Sequence, residues 1–137
     1  MYVDDQPFNF IVVGSFLERM HHLDYETYSC PQTALSVFGN SLQKKCCNVG
    51  YPLVITDISM PVLSGFDLAK KMLKLQQKKE AWLGVTESKF TIMALLAHVY
   101  DGVRMQALDI GMKEVIDKPL EYHSFAVLMT RYFTNIV

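Results

Sequence analysis

The chain predicts a doubly wound α/β domain, in which a parallel sheet is covered by helices on both faces. Two short runs, Pro52-Leu53-Val54-Ile55-Thr56 and Thr91-Ile92-Met93-Ala94-Leu95-Leu96, are apolar almost throughout, the pattern of strands buried on both faces. Stretches with helical periodicity lie between such runs, and strand alternating with helix implies right-handed crossovers and a parallel sheet. No internal repeat, low-complexity tract or Pro/Gly/Ser-rich linker divides the 137 residues, so one domain over residues 1–137 is expected. A chain of that length buries about 68% of its unfolded surface in one core.

Met1-Tyr2-Val3 is the end of a first strand, with fewer apolar residues than a central strand normally has. The shortness points either to a frayed strand or to a piece of a longer protein. Phe10-Ile11-Val12-Val13 has strand propensity, yet Phe8, Ile11, Val12, Phe16, Met20 and Leu23 follow helical spacing. An apolar face kept up from Phe8 to Leu23 is too long for a typical strand, so a helix is expected there. Tyr25 to Tyr28 is a short strand, and Pro31, at a first-turn position, opens a helix running towards Cys46 or Cys47. The next strand ends at Asp57. After a loop from Ile58 to Ser64, a helix turns Phe66, Leu68, Ala69, Met72 and Leu73 inward and Lys70, Lys71 and Lys74 to water. Gln76 to Lys89, with Trp82, reads as a polar connection. Thr91 to Leu96 is a strand, Asp101 begins a helix that stops at Gly111, Glu114-Val115-Ile116 is a shorter strand, and Leu120 to Phe133 is a closing amphipathic helix.

Composition excludes several function classes. Half the residues are hydrophobic, a fifth are charged and the net charge is −1, so no global field invites nucleic acid or an anionic membrane. No apolar run approaches the ~20 residues of a membrane span, and the first residues carry no secretory pattern, so a cytosolic or nuclear setting is expected. Cys30, Cys46 and Cys47 are odd in number and two are adjacent, which argues for reduced thiols. Adjacent histidines on a helix diverge, so His21-His22 with Asp24 reads as a solvated helix end. The lysines from Lys70 to Lys79 read as a wet helix face.

In a doubly wound sheet the ligand site lies off the carboxyl ends of the strands. That rule gathers Asp57, the His98 to Asp101 loop, the Asp117-Lys118-Pro119 loop, and Asp4 and Asp5 into one crevice. Taken alone, Asp57 at a strand end is most often a turn or cap residue, Asp4-Asp5 a solvated acidic segment and Lys118 a surface lysine. Together they have a chemistry: crowded carboxylates repel, and a hard divalent cation such as Mg²⁺, which prefers oxygen ligands, relieves them. A lysine opposite neutralises further anionic charge.

These residues resemble the response-regulator receiver domains of two-component phosphorelays, above all those of eukaryotic hybrid histidine kinases. The likeness spans essentially the whole chain. It is carried by Val3-Asp4-Asp5-Gln6-Pro7-Phe8-Asn9, by Asp57 with Met60, Pro61 and Gly65, by Ala94-Leu95 with Ala97-His98, by Gly111-Met112 and by Asp117-Lys118-Pro119. The resemblance implies a flavodoxin-like (βα)5 fold with strand order 2-1-3-4-5. It implies that Asp57 accepts a phosphoryl group from a phosphohistidine of a kinase or phosphotransfer protein. Asp4 and Asp5, one of them through water, would hold Mg²⁺ with Asp57 and the carbonyl of Ser59. Lys118 would pair with a phosphoryl oxygen, and Pro119 would follow a cis peptide. The domain would be a signalling phosphoacceptor rather than an enzyme, without nucleic-acid or membrane contacts of its own, in the cytoplasm and in a larger hybrid kinase if the chain is a piece of one.

Two positions depart from the family pattern. Leu96 stands where receivers usually carry Ser or Thr, whose hydroxyl bonds the phosphoryl group, and Val115 stands where they usually carry Tyr or Phe. Losing that hydrogen bond costs the phosphorylated state about 0.5–1.5 kcal/mol, which weakens switching without forbidding the chemistry. The alternative function is therefore a degenerate receiver that serves as a protein-interaction scaffold. A haloacid-dehalogenase-type phosphatase is excluded because Ser59, not a second Asp, sits two residues after Asp57. A flavin module is excluded because no phosphate-cradling loop follows the first strand.

Overall fold

The computed structural model describes residues 1–21, 23–43 and 50–133. Ten elements alternate along them: β1 (Tyr2–Val3), α1 (Pro7–Glu18), β2 (Thr27–Tyr28), α2 (Pro31–Leu42), β3 (Leu53–Asp57), α3 (Gly65–Leu83), β4 (Thr91–Leu96), α4 (Asp101–Ile110), β5 (Glu114–Asp117) and α5 (Tyr122–Phe133). The strands form one five-stranded sheet in the order β2-β1-β3-β4-β5, with each neighbouring pair parallel. The expected fold class and strand order are therefore found.

Each strand sends alternate residues into two apolar clusters, which is why β3 and β4 read as unbroken apolar runs. Val3, Val54, Ile92, Ala94 and Val115 face α2, α3 and α4, where Phe38, Leu68, Met72 and Ala107 cover them. Tyr2, Leu53, Ile55, Met93 and Leu95 face α1 and α5, under Val13, Leu17, Phe125 and Met129. The two-residue β1 is not frayed. It pairs with β2 on one side and β3 on the other, and the pairing continues beyond its ends through Met1 O to Ile55 N at 2.9 Å and Asp4 N to Tyr28 O at 3.1 Å.

The helices depart further from the expected bounds than the strands do. The first ends at Glu18 instead of Leu23, and it buries Val13 and Leu17 while Phe8 and Ile11 stand exposed. With five apolar residues between Phe8 and Val13 the helix is apolar nearly all round, so periodicity could not choose the face that meets the sheet. Its expected continuation is instead a pair of turns, Met20 N to Leu17 O and Leu23 N to Met20 O, both 3.0 Å. The second strand is confined to Thr27–Tyr28, the residues in register with the two-residue β1. The continuation of α2 towards Cys46 and Cys47 lies outside the described residues.

The larger difference is α3, which continues through the expected polar connection to Leu83 and carries Trp82 in its last turn. Ser64 caps its start by accepting from Asp67 N at 3.2 Å, and Gly84, at a left-handed φ of 72°, closes its end. Beyond Leu75 the helix has no buried face to betray it. It persists on strong helix formers such as Gln, Lys, Glu and Ala and on the Gln76 to Glu80 side-chain bond of 2.8 Å. The last helix opens at Tyr122, which leaves Leu120 in the connection from β5.

Gly65 joins the fold to the site. Its amide donates to Ile58 O at 2.9 Å, and a Cβ there would fall 2.2 Å from Asp57 O and 2.8 Å from Ile58 Cα. Only glycine allows α3 to start against the end of β3. Gly65→Ala is expected to cost about 1–3 kcal/mol, the usual range for overpacking, because backbone rather than a side-chain tip must yield. The denaturant midpoint measures it, and an unchanged midpoint would contradict the close approach.

Candidate metal centre

Three strands deliver the site. Asp57 is the last residue of β3, Asp4 and Asp5 directly follow β1, and Lys118 directly follows β5. Because β1 and β3 are parallel neighbours, their ends bring carboxylate oxygens of Asp4, Asp5 and Asp57 within 4.8 Å of one another. Lys118 reaches back with Nζ 2.9 Å from Oδ1 of Asp57 and 3.7 Å from Oδ2 of Asp4. Three carboxylates against one ammonium leave two negative charges uncompensated, the charge of one divalent cation.

Burial sharpens the conflict. Asp4 is fully buried and Asp57 is 3% exposed. Desolvation pushes the Asp57 carboxyl above the ordinary range, the Lys118 hydrogen bond opposes that, and the charge of Asp4 adds to it. The acids differ in how they are satisfied. Asp4 accepts from Gln6 N at Oδ1 (2.9 Å) and from the Tyr2 hydroxyl (2.7 Å) and Asn9 Nδ2 (2.9 Å) at Oδ2. Oδ1 of Asp5, by contrast, is buried with no hydrogen-bond partner. A buried, unpartnered carboxylate oxygen beside two further carboxylates suits a hard cation, so the residues fit Mg²⁺.

The four charged residues expected at the site are thus brought together. Ser59 and Pro61 lie exposed on the loop between β3 and α3, where Val62 takes a left-handed φ of 72°. Such a conformation costs a residue with a Cβ about 1–2 kcal/mol. The peptide between Lys118 and Pro119 is cis. The loop after β4 meets the end of β5 where Val99 N donates to Asp117 Oδ1 at 3.3 Å, while His98 is exposed. Val115 is buried in the cluster under α3 and α4, and Leu96 packs against it. His21 is exposed after α1, and His22, Cys46 and Cys47 lie outside the described residues. Among the described residues, no helix is long and apolar enough to cross a membrane.

Sequence reasoning missed Tyr2, Gln6 and Asn9 as the groups that hold Asp4. A signal was available: residues 2 and 4 of one strand share a face, and Asn9 falls in the first turn of the following helix.

Comparison with known proteins bears on the family and the fold. The family model described as response regulator receiver domain matches residues 1–129. The chain is similar to the signal transduction histidine-protein kinase BarA of Escherichia coli K12, 25% identical over 133 residues; the match covers 96% of this chain and 12% of that protein. The chain therefore spans about an eighth of that relative. Among solved structures, the receiver domain of Saccharomyces cerevisiae Ssk1, co-crystallised with the histidine phosphotransfer protein Ypd1, matches with a TM-score of 0.77 at 24% identity, over 96% of this chain and 85% of that one. The receiver domain of the Arabidopsis thaliana histidine kinase CKI1, complexed with Mg²⁺ and BeF₃⁻, matches with a TM-score of 0.76 at 20% identity, over 97% and 87% of the two chains.

The raised Asp57 carboxyl sets a pH dependence. A carboxyl held above its unfolded value of about 3.9 leaves the fold unpenalised below that value and costs stability progressively as pH rises from there to the folded value, with the full cost present above it. Asp57→Asn is therefore expected to stabilise the metal-free protein at pH 7 and to raise its melting midpoint. The gain should fade as pH falls towards 4. Thermal melts across pH measure it, and a loss of stability at pH 7 would show that the bond to Lys118 outweighs the repulsion.

Proposed function

The chain belongs to the family of response-regulator receiver domains, and on that premise we propose that it is a phosphoacceptor of a two-component phosphorelay, taking a phosphoryl group from a phosphohistidine onto Asp57 with Mg²⁺. The observation that carries this reading is the Lys118 ammonium 2.9 Å from Oδ1 of Asp57 in a pocket of three converging carboxylates. A carboxylate oxygen of Asp57 attacks phosphorus, the P–N bond breaks with its electron pair going to the imidazole nitrogen, and an acyl phosphate forms. Little covalent work is asked of the protein in phosphoryl transfer; positioning and charge neutralisation supply most of the rate.

Asp4, Asp5, Asp57 and the carbonyl of Ser59 are the groups that would hold Mg²⁺, which when bound supplies positive charge to the phosphoryl oxygens. Lys118 is partly exposed and supplies a second, mobile positive charge that can follow an oxygen from the carboxylate to the phosphoryl group. The donor is a histidine kinase or a histidine phosphotransfer protein, as suits a chain similar to a histidine kinase and to a receiver crystallised with such a phosphotransfer protein. The domain is a signalling phosphoacceptor and not an enzyme, limited to phosphorylation from donors and autodephosphorylation, and its setting is the cytoplasm, within a larger hybrid kinase if the chain is a piece of one.

A second reading rests on Leu96 and Val115, which pack into the cluster beneath α3 and α4 and offer no hydroxyl or aromatic ring. In that reading the domain is an interaction scaffold that responds weakly to phosphorylation. Intact mass after incubation with a small phosphodonor and Mg²⁺ should show one added phosphoryl group in wild type and none in Asp57→Ala. Lys118→Ala should slow the transfer about 100-fold, the scale of removing one preorganised charge donor. No Asp57-dependent mass gain defeats the phosphoacceptor reading. With BeF₃⁻ and Mg²⁺ added, amide shifts confined to the pocket support the scaffold, and shifts that spread along α4 count against it.

A further inference from the structure

Tyr2 is a hydroxyl where an apolar ring would satisfy the packing. It is 1% exposed in the cluster under α1 and α5, with its ring edge-on to Phe10 at 5.6 Å between centroids. A hydroxyl buried there is costly unless bonded, and its partner is Oδ2 of Asp4 at 2.7 Å, a short charge-assisted contact. Asp4 follows β1 directly and, two residues on from Tyr2, continues its alternation onto the same face, so the backbone aims the ring at the carboxylate.

The acceptor sites of Asp4 show what this bond does. A carboxylate has about four, two on each oxygen. Tyr2 and Asn9 take both on Oδ2, with Lys118 beyond at 3.7 Å, and Gln6 N takes one on Oδ1. One site therefore stays open on Asp4, and it is on Oδ1. Asp5 differs, since its buried Oδ1 has no partner.

Resting on the reading of this pocket as a Mg²⁺ site, we propose that Tyr2 is a positioning residue for the cation: its buried hydroxyl, with Asn9, locks Oδ2 of Asp4 to the protein and leaves Oδ1 as the only oxygen of Asp4 open to Mg²⁺ or to its water. A phenylalanine would fill the same space and remove one of the two side-chain donors that hold Oδ2. Loss of a hydrogen-bonding partner behind a metal ligand typically weakens metal binding about 10–100-fold.

Mg²⁺ affinity by titration calorimetry tests this on wild type, Tyr2→Phe and Phe10→Leu, the last of which trims the packing beside Tyr2 but keeps its hydroxyl. Tyr2→Phe is expected to weaken Mg²⁺ binding at least tenfold, while Phe10→Leu stays within twofold of wild type. An unchanged affinity in Tyr2→Phe, or an equal loss in Phe10→Leu, overturns the inference. A second readout uses wild type alone: a cation drawn to Asp4 weakens the hydrogen bond it accepts, so Mg²⁺ should shift the near-ultraviolet absorption of tyrosine. Absence of that shift at saturating Mg²⁺ overturns the inference even if Tyr2→Phe fails to fold. Absence of any Mg²⁺ binding to wild type overturns the reading of the site along with it.

Discussion

The Lys118 ammonium set against three carboxylates is the constraint on which the rest of the structure turns. An excess of two negative charges at a mostly buried edge is unfavourable for a metal-free fold, and burial raises the Asp57 carboxyl because the single lysine does not offset it. The sheet keeps those charges together regardless. Two of the acids follow a strand of two residues, and that strand can deliver them because backbone ladders hold it on both sides. Moving Asp4 away from Asp57 would require giving up those ladders.

The loop after β3 is under the same constraint. Gly65 lets α3 begin with no space between its first residue and the carbonyl of Asp57, and Val62 accepts a left-handed backbone on the way. A start capped by Ser64 and an end closed by Gly84 make α3 the longest helix among the described residues. Its last turns are held by local bonds rather than by the core.

The two faces of the sheet are connected to the site in different ways. Parity places Tyr2, Asp4 and Asp57 on the side of α1 and α5, where a continuous polar chain runs from the Tyr2 hydroxyl through Asp4 and Lys118 to Asp57. On the side of α2, α3 and α4 the corresponding positions, Leu96 and Val115, are apolar and packed. Polar contact with the pocket therefore leads into one face, and only van der Waals contact leads into the other.

Strand identity and the placement of the four charged residues at strand ends were legible in the sequence because each has a local cause, whereas the strand order followed only from the family resemblance. Buried strands are apolar on both faces, helix starts and stops carry Pro or Gly, and charged residues follow strand ends. The reach of α3 was not legible, since an exposed helix has no apolar stripe and differs from a polar loop only in propensity. Nor was the buried face of α1, because a helix apolar nearly all round takes its orientation from the sheet it meets. The hold on Asp4 was half visible: parity in β1 aligns Tyr2 with it, but which oxygen each donor takes depends on where α1 and α5 press the ring. By itself, then, the sequence determined which elements form and which charges stand at their ends, both local properties. Only the tertiary structure decided which of those carboxylates is satisfied by hydrogen bonds and which keeps a buried oxygen without a partner, because that depends on distances between strands far apart in the chain.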